Sequence, residues 1–219
     1  VKDFTTPKGE KVYDFDQNLT GWVEVEIYGD KGQKLTLRHA ESLDENGNFY
    51  TENLSWAKAT DTYILSGGKQ ILHPHFTWHG FRYLCVEGLQ YGQNVQFTAC
   101  HLSTDLQQTG SFTCSDKRVN RLQQNIQWSQ RDNFLDIPTD CPQRSERLGW
   151  TGDVTAFCPT AAFNENIMPF MIKWLRDLAS ELGPDVSMPQ VVPNILGNQQ
   201  DGAAFWGDVV TVLPWTLYR

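Results

Sequence analysis

The chain has no C-x-x-C pair, no excess of Lys and Arg, and no apolar run near the roughly 20 residues that a membrane-spanning helix needs. Each absence excludes a class of protein. The five cysteines, Cys85, Cys100, Cys114, Cys141 and Cys158, are odd in number and lack metal-ligand spacing, so neither a disulfide framework nor a thiolate zinc site is expected. They read as free thiols in a reducing compartment. Eighteen basic against 26 acidic residues leave a net charge of -8, which argues against nucleic acid or a membrane surface as partner. The N-terminus lacks the basic-then-apolar pattern of a signal peptide. A cytoplasmic bacterial location is therefore the first reading. A periplasmic or secreted one stays open, because the chain begins at Val1 and an export signal could precede it. There is no internal repeat and no low-complexity segment. No cofactor is called for.

What is present is the composition of a globular protein with a sizeable core: 219 residues, 40% hydrophobic and 20% charged. Up to about residue 110 the chain reads as strands. Trp22–Ile27 and Leu35–Arg38 alternate with period two. Asp44-Glu45-Asn46-Gly47-Asn48 is a hairpin turn, and Ser66–Lys69 punctuates another after Thr62–Leu65. Phe81–Glu87 and Val95–Ala99 follow. Short strands separated by turns predict an antiparallel β-sandwich over 1–110. After that the period becomes helical. Ser115 is an N-cap candidate, with Val119, Leu122 and Ile126 along one face. A short helix is predicted from Asp153 to Phe163. Met168, Met171, Leu175, Leu178 and Leu182 form another stripe, stopped by Gly183-Pro184. A last helix runs from about Asp208 towards Tyr218, with Pro214 as a kink or break.

The chemistry concentrates in Asp136–Asp153. Two prolines and two glycines mark a loop, and it carries four carboxylates, two arginines and one Trp. A plain connector does not need this set, and a sugar site does. Carboxylates and guanidinium groups bond neighbouring hydroxyls, while an indole covers the apolar C–H face. A carboxyl kept protonated serves as general acid on a glycosidic oxygen. Each residue also has a plainer use. Glu146 could pair with Arg144 or Arg147 on the surface, and Arg144 could make a structural ion pair. Asp140 could form an Asx turn, Asp153 could cap a helix, and Trp150 could simply pack. His73, His75 and His79 do not read as a metal site: Pro74 intervenes, and no acidic group nearby completes a ligand set.

The run Asp140-Cys141-Pro142-Gln143-Arg144-Ser145-Glu146-Arg147-Leu148-Gly149-Trp150-Thr151-Gly152-Asp153 resembles the signature of bacterial α-L-rhamnosidases of glycoside hydrolase family 78. Tyr13–Trp22 and His79–Tyr83 are similar to the β-sandwich that precedes the family's catalytic domain. Lys173–Asp177, Trp206–Asp208 and Pro214-Trp215 are similar to its later helical segments. The resemblance implies a β-sandwich over 1–110 followed by the first helices of a catalytic (α/α)6 barrel over 111–219. It implies hydrolysis of terminal α-L-rhamnosyl groups with inversion, acting on a rhamnose-containing glycoside or polysaccharide. Glu146 matches the general acid. Asp140, Arg144, Trp150 and Asp153 match residues lining the sugar pocket, with Trp206 and Asp208 beside them. Ser145 stands where many relatives carry an acidic residue.

The roughly 105 residues from Ser115 onward allow about four to six helices, fewer than the dozen of an (α/α)6 barrel. An inverting glycosidase also needs a second carboxylate roughly 6.5–9.5 Å from the acid, and the resemblance places that base beyond Arg219. The chain is therefore expected to be part of a larger enzyme and inactive alone. Its half-barrel faces, bearing Met171, Leu175 and Leu178 or Val209, Val212 and Leu217, are expected to self-associate. Two other readings stand beside this one: a non-catalytic carbohydrate-binding or structural module, and a different (α/α)6-barrel glycosidase.

Overall fold

The computed structural model describes residues 1–183, 187–197 and 202–219. The chain divides into two compact units: Val1–Leu102 with Pro142–Ser145, and Ser103–Cys141 with Glu146–Arg219.

The first unit is a β-sandwich. Its strands are β1 (Lys2–Thr5), β2 (Lys11–Gly29), β3 (Lys34–Ala40), β4 (Ser42–Leu43), β5 (Phe49–Tyr50), β6 (Thr60–Ile64), β7 (Gly68–Leu72), β8 (His79–Glu87) and β9 (Val95–His101). The long strand β2 joins the two layers. Its first half pairs with β1 and β8, and β8 continues to β3 and β6; its second half pairs with β7 and β9. The pairing with β8 shifts register between Asp14 and Leu19, where Asp16 takes a left-handed φ of 65°. Such a bulge bends a strand enough for it to leave one layer and enter another. The alternation of Trp22–Ile27 is borne out: Val23, Val25 and Ile27 are buried, with Leu35 and Leu37 of β3 and Phe81 of β8 also in the core. The Asp44 turn closes β4 onto β5. Asp44 Oδ1 accepts the Asn46 and Asn48 N–H groups, and Gly47 supplies the positive φ.

The second unit contains α1 (Lys117–Asn133), α2 (Thr151–Asn164), α3 (Met168–Glu181) and α4 (Val209–Tyr218). Several sequence readings shift here. The cap of α1 is Asp116, not Ser115: its side chain accepts the Arg118 N–H at 2.8 Å. The face predicted to be apolar is not buried, for Val119 is 40% and Leu122 57% exposed. Helix α1 docks instead through amides and charges. Asn164 Nδ2 donates to Gln130 Oε1, Gln130 Nε2 donates to Glu165, and Arg131 Nε donates to buried Glu165 at 2.9 Å. The cap of α2 is Trp150, and Asp153 lies in the first turn. Helix α3 ends at Glu181, with Leu182 in the cap position; Pro184 of the expected stop lies outside the described residues. Helix α4 continues through Pro214, which forfeits the one bond its missing N–H would make.

The core of this unit gathers Phe134, Val154, Cys158, Phe170, Met171, Trp174, Leu178, Val192, Val209 and Leu213. Met171, Leu178 and Val209, expected on exposed faces, are thus interior residues, and Leu175, Val212 and Leu217 pack against them. The stripes on α3 and α4 enter one core together with residues of α2 and with Met188 and Val192, so less apolar surface is left open than their periodicity alone predicts.

Gly21 stands where β2 changes layers, paired with His79 on β8 and His101 on β9. A Cβ there would lie 1.9 Å from the Cys100 carbonyl oxygen. Gly21→Ala is expected to destabilise the sandwich by at least about 2 kcal/mol, since backbone must move to admit the methyl. A urea titration followed by fluorescence should show a lower midpoint with an unchanged slope.

Candidate active site

The loop Asp140–Leu148 is closed at its base by two bonds between its ends. The Asp140 N–H donates to the Leu148 carbonyl at 3.0 Å, and the Leu148 N–H donates to Asp140 Oδ1 at 2.8 Å. Asp140 therefore does structural work with its carboxylate. The chain then runs beside a second segment: Thr151 N–H donates to Gln190 O, Val192 N–H donates to Gly149 O, and Trp150 bridges Val191. A Cβ at Gly149 would meet the Val192 carbonyl oxygen at 2.3 Å, so the approach requires glycine. This pairing fixes the start of α2.

Four of the residues singled out from the sequence meet at that start. Trp150 Nε1 donates to Glu146 Oε1 at 2.9 Å. Asp153 feels the charges of both Asp140 and Glu146. Trp206 joins the group from the chain before α4: a Cβ at Gly152 would lie 2.8 Å from its indole, and its Nε1 is buried without a hydrogen-bond partner. Asp208 is the exposed residue preceding α4 and makes no side-chain cap bond. Arg144 is exposed and belongs, with Pro142–Ser145, to the sandwich unit.

The electrostatics are set by crowding of like charge. Burial, then the neighbouring Asp140, hold the Asp153 carboxyl above its usual range, and Glu146 adds to the effect. Burial lowers the guanidinium pKa of Arg147, and its backbone takes a left-handed φ of 59°. The backbone thus turns sharply directly after Glu146. A cavity of about 300 Å³ lies alongside. Phe134, Phe157, Val154 and Met171 form apolar walls, and Asp140 and Asp153 supply carboxylates.

Among the described residues, two side-chain sets offer ligand atoms within 4.8 Å of one another: Asp140, Cys141 and Glu146 here, and His39, Asp61 and His79 in the sandwich. Neither reads as a metal centre. In the first, Asp140 accepts the Leu148 N–H and Glu146 the Trp150 N–H. In the second, the two imidazoles stack at 4.1 Å with planes 22° apart, so their in-plane lone pairs do not converge on one point. That set is a core hydrogen-bond network. His39 bonds the Ala59 carbonyl, His79 bonds Asp61 at 3.0 Å, and burial pushes the His39 pKa down to about 3.

Sequence reasoning missed the left-handed Arg147 and the cavity walls. Gly149 and Gly152 on either side of Trp150 were the available signal, since paired glycines beside an indole mark close approach.

A sandwich followed by helices, with a carboxylate-rich loop at a helix start, is the arrangement to set against known families. Residues 107–219 match the bacterial α-L-rhamnosidase six-hairpin glycosidase domain, and residues 4–103 match the bacterial α-L-rhamnosidase concanavalin-like domain. The chain belongs to the bacterial α-L-rhamnosidase family. It is 44% identical to an α-L-rhamnosidase of Streptomyces avermitilis over 100% of its own length and 22% of that protein. It is 38% identical to one of Formosa agariphila over 94% of its length and 23% of that protein. Among solved structures, the native α-L-rhamnosidase of Aspergillus terreus superposes with a TM-score of 0.95 at 44% identity, covering 100% of this chain and 26% of that one. The Streptomyces avermitilis enzyme complexed with L-rhamnose gives 0.91 at 41%, covering 100% and 22%. The chain thus spans about a quarter of the length of the relatives it matches, and corresponds to a sandwich and the opening helices of their six-hairpin domain.

The raised carboxyl of Asp153 fixes the sign of a pH effect. A folded-state pKa above the unfolded one favours the fold in acid and weakens it as pH rises through the folded value. Asp153→Asn should therefore raise the thermal midpoint at pH 7, with the gain shrinking as pH falls through the raised folded value and gone below about 4, the ordinary carboxylate value. Asp140→Asn should bring the Asp153 pKa down, read from its carboxyl carbon chemical shift.

Proposed function

We propose that the protein carrying this sequence hydrolyses terminal α-L-rhamnosyl groups with inversion, with Glu146 as general acid. The observation that supports this most directly is the Trp150–Glu146 bond at 2.9 Å, made beside Asp140 and Asp153 in a chain whose relatives are α-L-rhamnosidases. Glu146 Oε1 accepts the indole N–H, which orients the carboxyl. The proton goes to the glycosidic oxygen as the bond to the anomeric carbon breaks. Water attacks the opposite face, activated by the second carboxylate that the resemblance places beyond Arg219.

The remaining assignments follow from chemistry. Asp140 and Asp153 accept sugar hydroxyls, Arg144 and Asp208 add further polar contacts, and the indoles of Trp150 and Trp206 cover C–H faces. The apolar walls from Phe134 and Phe157 suit a 6-deoxy sugar, whose methyl group has no hydroxyl to satisfy. Self-association of the isolated chain would run through residues left exposed, such as Leu122 on α1 and Trp215 on α4, in place of Met171, Leu178 and Val209.

A second reading is favoured by one observation. Asp153 is the carboxyl of the cluster whose pKa is raised, which makes it the competing candidate for the acid. Two variants of the full-length protein decide. Glu146→Gln should cut kcat on alkyl rhamnosides by about 10²–10⁴-fold and cost far less on a nitrophenyl rhamnoside, whose aglycone leaves without protonation. If that selectivity appears for Asp153→Asn instead, the roles are exchanged.

A further inference from the structure

Trp174 on α3 is fully buried, in one core cluster with Phe170, Met171, Leu178 and Val192. A phenylalanine would supply most of that apolar bulk. What an indole adds is a donor, and a buried N–H must find an acceptor. Trp174 Nε1 donates to the Val192 carbonyl at 3.2 Å. Gly149 abuts the same carbonyl: a Cβ on it would lie 2.3 Å from Val192 O and 3.2 Å from Trp174 Nε1. One core indole thus meets, at a single point, two backbone strips from different parts of the helical unit.

The strips are clamped on both sides of Trp150. The Val192 N–H donates to Gly149 O at 2.9 Å, and Thr151 donates to Gln190 O through both its N–H, at 2.8 Å, and its hydroxyl, at 3.0 Å. The backbone of Trp150 is therefore fixed through its two neighbours, and its side chain reaches back four residues to Glu146 Oε1 at 2.9 Å. We propose that Trp174 is a positioning residue for the general acid: it holds Val192, Val192 holds Gly149, and the Trp150 indole so placed sets where the Glu146 carboxyl stands. The proposal rests on the reading of Glu146 as the acid. It assigns no chemistry to Trp174. An acid must reach the glycosidic oxygen within hydrogen-bond distance, and misplacement by about 1 Å costs on the order of 10²-fold. Without the indole N–H, the buried Val192 carbonyl loses its donor, and the strip must shift towards another partner or admit water. Such a shift carries Gly149 and Trp150 with it.

The test uses the full-length protein carrying Trp174→Phe, Thr151→Val, Thr151→Ser or Glu146→Gln. Kinetics are measured on an alkyl and a nitrophenyl rhamnoside, and thermal midpoints in parallel. Positioning predicts that Trp174→Phe lowers kcat on the alkyl substrate by about 10–100-fold, with nitrophenyl kcat little changed. A rise in KM from a displaced Trp150 falls on both substrates alike and cancels in the comparison. Thr151→Val, which removes the hydroxyl from the other end of the clamp, should show the same selectivity more weakly, and Thr151→Ser, which keeps it, should not. Equal losses of kcat on both substrates, or no loss in a folded Trp174→Phe protein, overturn the proposal. If Trp174→Phe does not fold, Thr151→Val against Thr151→Ser decides, and absence of leaving-group selectivity in that pair overturns it. The Glu146→Gln arm separates the two ideas. Selectivity there without selectivity in the clamp variants sinks only the positioning role, whereas no selectivity at Glu146 sinks the acid assignment beneath it.

Discussion

The helical unit depends on one backbone pairing, that of Gly149–Thr151 with Gln190–Val192. Buried amides and carbonyls must find partners, and here each strip satisfies the other: Thr151 N–H on Gln190 O and Val192 N–H on Gly149 O. The approach works because residue 149 has no side chain to strike the Val192 carbonyl. Once Gly149 is fixed, α2 starts at Thr151, Trp150 projects towards Glu146, and Gly152 presents a bare backbone to the indole of Trp206. Trp174 adds to the lock by donating its buried N–H to the Val192 carbonyl at 3.2 Å. The geometry of the site is thus set by a short sheet-like contact and two glycines more than by the helices themselves.

The same arrangement concentrates charge where the fold would be steadier without it. Asp140, Glu146 and Asp153 stand together, and burial with these two neighbours raises the Asp153 pKa. The N-terminal turn of α2 contributes partial positive charge towards Asp153, but not enough to cancel burial and its two acidic neighbours. Groups with perturbed titration cluster at functional sites because catalysis uses the strain. The His39–Asp61–His79 network shows the contrast. It is also buried and polar, yet its imidazoles are stacked, and it serves the sandwich core.

Legibility in the sequence followed the strength of local patterning. Alternation in Trp22–Ile27 and the Asp44–Asn48 turn could be read directly, because one buried face and one positive-φ glycine leave plain marks. The extent of β2 could not. Asp14, Asp16 and Asn18 break its alternation, and only their place at a bulge explains why a strand continues through them. Helix α1 misled in the opposite sense. Val119 and Leu122 have helical spacing, but the side of α1 that docks carries Gln130 and Asp132. Amide networks have no periodic signature, since their energy comes from specific partners on another helix. The capping residue of α1 moved by one position because Ser115 and Asp116 are both competent caps, and hydrogen-bond geometry chose between them.

By itself, the sequence determined the order of a strand-rich part and a helical part, and the loop in which the carboxylates, arginines and Trp150 would be found. These follow from composition and spacing, which are local. The signature run also sufficed to indicate the family, because so many chemically specific residues are contiguous. Only the tertiary structure decided that Trp150 holds Glu146 by a hydrogen bond, and that one carboxylate oxygen of Asp140 closes the loop. It likewise raised the pKa of the Asp153 carboxyl and made Met171, Leu178 and Val209 interior. Each of these depends on which distant groups come within a few ångströms, and on how much water they exclude. Neither quantity exists until the chain has folded back on itself.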